Sequence, residues 1–196
     1  MVERNVPESG PEDYNEHFWN KIKTEKLAKQ RLWEQTNNRS GLYEIVKRFL
    51  PKDKLVVDLG CGDGFLTNFI EDRQYIGVDF GSVLLENAKK LYPDKFFMEG
   101  DIKTEEVQGL FAPHYTYVCL EVLEHIIDDI SVVKAIPEGA DFIFSVPDMN
   151  CKHHVRYFLT HEEVEERFSD YLEFIEKDVF VTKLGYNTFI SKTKRK

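Results

Sequence analysis

The stretch from Leu55 to Asp79 constrains the fold of this chain more than any other segment. It opens with a short apolar run rich in β-branched residues, which predicts a strand buried on both faces, as in parallel sheets. Glycines follow at alternate positions, 60, 62 and 64, and a turn without Cβ atoms lets a ligand approach the backbone closely. Apolar residues at helical spacing over 65–70 and a second strand-like run ending in Asp79 complete the order of a nucleotide-binding βαβ unit.

The residues inside this unit separate two kinds of nucleotide site. A dinucleotide fingerprint of the form GxGxxG would place a third glycine at position 65, where this chain has Phe65. The chain instead carries VVDLGCGDG and, after the second strand, GVDFG. These segments resemble the first two motifs of class I S-adenosylmethionine-dependent methyltransferases. The alternative is a glycine turn in some other α/β protein, and the match at both ends of the unit argues against it.

That resemblance implies an α/β fold with three layers: a Rossmann-like sheet of seven strands, the last antiparallel, with helices on both faces. It also implies S-adenosyl-L-methionine as the cofactor. In that family the glycine loop lies against the methionine moiety, the acid after the second strand binds ribose, and an acid with its apolar neighbour after the third strand contacts adenine. The matching residues, which we expect to bind the cofactor, are Asp58, Gly60, Cys61, Gly62, Asp79, Phe80, Asp101, Ile102 and Glu121. Asp101 also suits a different role, as the cap of a following helix.

Two groups of polar residues are candidates for catalysis. Glu124 and His125 follow the predicted fourth strand, and His153 and His154 follow the fifth. Because the carboxyl ends of parallel strands lie at one edge of a sheet, both groups are expected to open on the same cleft. Methyl transfer to a hydroxyl needs a base that takes its proton, and histidine titrates near neutral pH.

Three interpretations of these residues remain open. In the first, EVLEH resembles the common motif after the fourth strand of this superfamily, with Glu121 near the methionine end of the cofactor and Glu124 and His125 structural. HHVRYFLT resembles a segment that shapes the acceptor pocket in small-molecule and sugar methyltransferases. In the second, His154 or His125, with Glu124 nearby, acts as general base for O-methyl transfer. In the third, Glu121, Glu124, His125 and a later histidine resemble the metal site of small-RNA 3′-terminal 2′-O-methyltransferases. The third fits less well because His154 lies six residues before Thr160, where that family has five, and we predict no metal.

Composition limits the expected partners and location. The net charge of −9 disfavours a phosphate backbone as the main partner. No apolar run approaches the about 20 residues that span a bilayer, and the three cysteines lack paired metal-type spacing, so we expect a cytoplasmic setting without zinc. We therefore predict a methyltransferase acting on an oxygen or nitrogen of a small molecule or sugar. An enzyme acting on an RNA 3′ end and a non-catalytic cofactor-binding module are the alternatives.

The chain of 196 residues is predicted to hold one methyltransferase domain, residues 40–196. Residues 1–39 are predicted as an N-terminal tail and helical cap, in which HFWNKI either forms a lid over the cofactor or packs against the sheet edge. The last two strands, 171–181 and 187–191, are predicted to form a hairpin, and the basic residues 192–196 to be a solvated end.

Overall fold

The computed structural model describes residues 40–70, 73–151 and 154–196. The predicted tail, helical cap and lid in residues 1–39 lie outside the described residues, as does His153, so the domain boundary at residue 40 stays a prediction. Among the helices in the described ranges, none is long and apolar enough to cross a membrane.

The described ranges contain helices and strands in the alternating order expected of an α/β fold. The strands are β1 (Val56–Leu59), β2 (Tyr75–Asp79), β3 (Phe96–Glu99), β4 (Thr116–Leu120), β5 (Asp141–Pro147), β6 (Leu172–Val181) and β7 (Asn187–Arg195). The α-helices are α1 (Ser40–Phe49), α2 (Ser82–Leu91), α3 (Glu105–Gln108), α4 (Asp129–Ala135) and α5 (His161–Phe168), and short 3₁₀ helices span Phe65–Phe69 and Leu123–His125.

The strands described here form one seven-stranded sheet in the order β3-β2-β1-β4-β5-β7-β6. Strands β1 to β5 pair in parallel, and β7 is antiparallel to both β5 and β6. The strand order reverses at β1, which has β2 on one side and β4 on the other. In open α/β sheets, ligands bind beyond the carboxyl ends of the strands at such a reversal. The predicted fold class is confirmed.

Helices cover both faces of this sheet, and the centre of β5 shows how the sequence achieves this. All of β5 is buried. Because side chains alternate between faces along a strand, Ile143 belongs to the apolar cluster formed with α1 and α2, whereas Phe142 and Phe144 belong to the cluster formed with α3, α4 and α5. This double burial explains why the strand is a continuous apolar run in the sequence.

The predicted helix over 65–70 is a 3₁₀ helix, Phe65–Phe69, and not a longer α-helix. The Thr67 hydroxyl donates to the carbonyl of Gly64 at 2.7 Å, and the Asn68 side-chain amide donates to the carbonyl of Phe65 at 3.0 Å. Side chains that bond to local carbonyls compete with the α-helical ladder. The apolar residues over 65–70 therefore have helical spacing although the segment forms only a short 3₁₀ helix.

The predicted solvated end is also wrong, because β7 continues through Arg195 and pairs with both β5 and β6. The Thr193 side chain is buried, and its hydroxyl donates to the carbonyl of Phe142 at 2.9 Å. The neighbouring Lys192 points away from that core and pairs with Glu176. Alternating small polar and basic residues thus form a strand with one buried side.

Candidate functional site

A cleft of about 620 Å³ opens at the carboxyl ends of the parallel strands. The predicted cofactor-binding residues and catalytic candidates all line this cleft, although they come from loops after four different strands and from the segment following β5. They are Asp58, Gly60, Cys61, Gly62, Asp79, Phe80, Asp101, Ile102, Glu121, Glu124, His125 and His154. The structure therefore brings the predicted set together, and the role of each residue remains a prediction.

The glycine loop after β1 approaches the backbone of β2 closely. The amides of Gly60 and Cys61 both donate to the carbonyl of Val78, at 2.8 and 3.0 Å. Gly60 has a φ of 77°, in the left-handed region that favours glycine, and a Cβ there would lie 2.5 Å from the Val122 side chain. Glycine is therefore required by the loop itself, in addition to any requirement of a ligand.

Asp79 connects this loop to the end of β2. One carboxylate oxygen accepts from the amide of Gly62 at 2.8 Å, and the other accepts from the amide of Gly81 at 2.7 Å. Each carboxylate oxygen offers two acceptor positions, so Asp79 retains acceptor capacity toward the cleft that it lines. Sequence reasoning found the residue and missed this second, structural role.

Asp58 is buried at the end of β1, only 4% exposed. Burial raises the pKa of its carboxyl to about 7, against a hydrogen bond from Tyr75 that lowers it, and the nearby charge of Asp79 adds to the rise. The Tyr75 hydroxyl donates to Asp58 at 2.8 Å from the neighbouring strand β2. Sequence reasoning missed Tyr75 as a site residue. The available signal was a phenol at the start of the predicted second strand, because buried hydroxyls need a partner.

Glu121 follows β4 with an uncommon backbone. Its φ of 58° is the only positive value at a non-glycine residue in the part of the chain that the structure describes. Such conformations are uncommon for residues with a Cβ and cluster at functional sites. The Glu121 amide donates to the carbonyl and hydroxyl oxygens of Ser145, at 3.2 and 3.1 Å, which holds this conformation against β5.

Asp101 and Ile102 follow β3 at the far end of the cleft. Asp101 accepts from the amide of Lys103 at 2.9 Å and lies 3.3 Å from its ammonium group. Helix α3 is capped instead by Thr104, whose side chain accepts from the amide of Val107. The alternative role of Asp101 as helix cap is therefore wrong, and its position on the cleft is consistent with the expected adenine contact.

The residues after β4 and β5 converge, as the sequence predicts. The rings of His125 and His154 are 4.7 Å apart between centroids and nearly perpendicular, at 80°. The fully buried Glu124 lies 3.9 Å from Nε2 of His125. One potential ligand atom from each of these three residues lies within 4.8 Å of the others, so the trio can also hold a metal ion; in the described chain Glu121 is outside it.

The tautomer of His154 is fixed by its surroundings. Its Nδ1 lies 2.8 Å from the carbonyl oxygen of Met149. A carbonyl can only accept, so Nδ1 carries the hydrogen, and Nε2 holds the lone pair when the ring is neutral. A histidine held in this way can take a proton or bind a cation through Nε2.

Comparisons with known proteins show which proteins this chain is similar to. No family model matches the chain. It is 31% identical over 164 residues to the ubiquinone biosynthesis O-methyltransferase of Escherichia coli, covering 74% of this chain and 68% of that protein. It is 32% identical over 148 residues to the protein of the same name from Stutzerimonas stutzeri, covering 66% and 63%. The chain spans about half to two thirds of the length of such curated relatives.

Among solved structures, the chain resembles the Burkholderia thailandensis 1,6-didemethyltoxoflavin-N1-methyltransferase with bound 1,6-didemethyltoxoflavin and S-adenosylhomocysteine. The TM-score is 0.70 and the sequence identity 15%, with 99% of this chain and 94% of that chain covered. At this identity the likeness concerns the fold alone.

The Asp58 carboxyl should make stability depend on pH in the cofactor-free protein. Its folded pKa of about 7 lies above the ordinary value of 3.8, so its contribution to the free energy of unfolding is full below about pH 4 and is lost as pH rises through 7. We expect urea denaturation to show Asp58→Asn gaining stability relative to wild type between pH 5 and 8. Tyr75→Phe removes the hydrogen bond that lowers the Asp58 pKa. The pH at which stability is lost should therefore be higher in Tyr75→Phe than in wild type. A constant difference between Asp58→Asn and wild type would contradict the raised pKa.

Gly60→Ala should cost more stability than the same change at Gly139. Both residues have a φ of 77°, but a Cβ at Gly139 meets no atom within 4 Å, whereas at Gly60 it meets Val122. Left-handed backbone alone costs an alanine about 1–2 kcal/mol, so Gly139→Ala measures that cost and Gly60→Ala adds the clash. Urea denaturation gives both values, and calorimetry with S-adenosylhomocysteine should show weaker binding only for Gly60→Ala. Equal effects of the two changes on stability would refute the clash.

Proposed function

This chain belongs to the class I, Rossmann-like methyltransferases, and from that premise we propose that it transfers the methyl group of S-adenosylmethionine to an oxygen or nitrogen of a small molecule or sugar. The observation that carries the proposal is the single cleft in which the glycine loop, the acids after β2 and β3, and the histidine pair meet. An oxygen acceptor is favoured because the curated relatives are named as O-methyltransferases.

The cofactor would bind along the carboxyl ends of β1 to β4. In this arrangement the glycine loop and Glu121 meet the methionine moiety, Asp79 receives the ribose hydroxyls, and Asp101 with Ile102 contacts adenine. Bound S-adenosylmethionine would supply a methyl carbon made electrophilic by its sulfonium. The protein would contribute mainly by orienting the acceptor in line with that carbon, since positioning alone can supply about 7–11 kcal/mol.

The acceptor would approach between the histidine pair and an apolar wall. Residues with apolar side chains line the cleft, and they include Tyr43, Phe65, Leu66, Val122, Ile126, Ile127 and Val155. Such a mixture of apolar wall and a few polar groups is typical of sites for small organic molecules. The net charge of −9 and the named activities of the relatives do not favour the RNA 3′-end alternative.

For a hydroxyl acceptor, we propose His154 as the general base. Its Nε2 would take the acceptor proton as the oxygen–methyl bond forms and the sulfonium–methyl bond breaks. The Nδ1 hydrogen would remain on the Met149 carbonyl, 2.8 Å away, and this bond stabilises the imidazolium. The buried Glu124 lies beside His125, 3.9 Å from its Nε2.

The same trio supports a second role, as a site for a divalent cation. The spacing of Glu124, His125 and His154 within 4.8 Å is the observation that favours it. A cation there would hold an acceptor oxygen and lower its pKa, so the acceptor would lose its proton without a histidine base. This role conflicts with our sequence prediction of no metal, and the two roles differ in their response to a chelator.

Asp79→Asn should weaken binding of S-adenosylhomocysteine by about 10- to 100-fold, because hydrogen bonds to a charged group contribute about 1.5–3 kcal/mol. Since Asp79 also holds the glycine loop, the effect on ribose must be separated from an effect on the loop. Calorimetry with a 2′-deoxy analogue of the ligand does this, because wild type should lose more affinity for the analogue than Asp79→Asn does. Equal losses in both proteins would remove Asp79 from the ribose site. NAD should not bind either protein.

His154→Asn should lower turnover by about 10²–10⁴-fold, the range of general-base catalysis. Asparagine can keep a donor near the Met149 carbonyl but lacks Nε2, so affinity for S-adenosylhomocysteine should stay normal. Transfer of labelled methyl to a panel of phenols, catechols and sugars measures turnover, and no transfer by wild type to any acceptor would favour the non-catalytic module.

The matching chelator experiment uses the wild type. If His154 is a base without metal, activity should survive excess EDTA. If EDTA abolishes activity and Mg²⁺ or Mn²⁺ restores it, the trio acts as a cation site and His154 is not the base.

A further inference from the structure

The guanidinium of Arg156 joins the two loops that carry the histidine pair. Arg156 follows His154 by two residues. It donates through Nη1 to the carbonyls of Leu123, at 2.9 Å, and Ile126, and through Nη2 to the carbonyl of Ile127 at 2.6 Å. One side chain from the loop after β5 therefore binds three carbonyls of the loop after β4.

These three carbonyls lie on both sides of Glu124 and His125 along the chain. The loops also share a backbone bond, since the amide of Val155 donates to the carbonyl of Glu124 at 2.9 Å. The fork of Arg156 thus fixes the turn at both of its ends, and the backbone bond fixes its middle. The turn cannot shift relative to His154 without breaking these contacts.

Arg156 is itself held by a buried acid at the start of α4. The carboxylate of Asp129 is fully buried, lies 3.1 Å from Nη1 of Arg156, and accepts two bonds from Arg167 of α5, at 2.7 and 2.5 Å. A buried carboxylate is costly unless it is paired, so the ion pair with Asp129 keeps the Arg156 guanidinium in one orientation. Lysine cannot replace it, because its ammonium has no planar fork to span several carbonyls.

We propose that Arg156 is a positioning residue that sets the separation and relative orientation of His125 and His154. The inference rests on the proposed function, in which this pair faces the acceptor. Arg156 does not touch the reacting atoms in this proposal; it acts through the turn that carries Glu124 and His125. Arg167 provides the matched control, because it pairs with the same buried carboxylate from helix α5.

The test compares histidine NMR spectra of the wild type, Arg156→Lys and Arg167→Lys, all free of cofactor. The wild type should show a nuclear Overhauser effect between the His125 and His154 rings, whose centroids are 4.7 Å apart. Arg156→Lys should lose this effect and shift the pH titration of both imidazoles, while Arg167→Lys should retain both signatures. Affinity for S-adenosylhomocysteine should stay within about two-fold in both variants, since the glycine loop is unaltered.

In the methyl-transfer assay, Arg156→Lys should lower kcat at least about ten-fold with an unchanged KM for S-adenosylmethionine. The proposal would be overturned if Arg156→Lys kept the ring contact and the titration of the wild type. It would also be overturned if Arg167→Lys lost the ring contact and kcat as much as Arg156→Lys does. Should Arg156→Lys fail to fold, the wild type still decides: a fixed guanidinium gives separate Nη proton signals, and one averaged signal would overturn the proposal. Failure of wild type to bind S-adenosylhomocysteine would instead overturn the proposed function. The failure of the proposed function can therefore be distinguished from the failure of the Arg156 proposal.

Discussion

The hydrogen bonds that fasten the glycine loop to the end of β2 are the interaction on which the site depends. The amides of Gly60 and Cys61 meet one carbonyl, that of Val78, and the amide of Gly62 meets the carboxylate of Asp79. This approach needs positive φ and the absence of a Cβ, which only glycine supplies without strain. Because β1 and β2 are parallel neighbours, the loop and the acid reach the same edge of the sheet. Bonds from the backbone amides of the loop, one of them to the Asp79 side chain, therefore fix the floor of the cleft.

The sequence was most informative about residues that come directly after neighbouring parallel strands, because the sheet brings such residues together in space. A glycine turn after one strand and an acid after the next must lie side by side when the strands are parallel neighbours. The same reasoning placed His125 and His154 together, because they follow β4 and β5, which also pair in parallel. The fold class and the membership of the cleft were thus predictable, since both follow from strand order and from which residues come directly after each strand.

Partnerships between distant side chains and backbone groups were not predictable in this way. Arg156 binds carbonyls, and a carbonyl carries no signature in the sequence, so nothing pointed to its partners. The 3₁₀ helix after Gly64 had helical apolar spacing but also had Thr67, whose hydroxyl competes for a carbonyl. At the C-terminal end, basic composition suggested solvation, whereas pairing of β7 with strands on both sides fixed residues up to Arg195. At the C-terminal end tertiary contacts outweighed a local signal, whereas after Gly64 a local side-chain bond competed with the helical pattern.

Two buried acids show how the fold separates scaffold from site. Asp129 has two guanidinium partners and links α4, α5 and the loop after β5. Asp58 has a phenol hydroxyl as partner, which offsets burial only in part, and its pKa rises to about 7. A carboxyl with that pKa, lining the cleft, changes charge when its surroundings change. In the proposed function, the positive charge of a bound sulfonium would favour the ionised form of Asp58 and would couple cofactor binding to loss of this proton. A pKa raised to about 7 leaves Asp58 partly neutral near neutral pH, and a neutral carboxyl costs less to bury than a charged one.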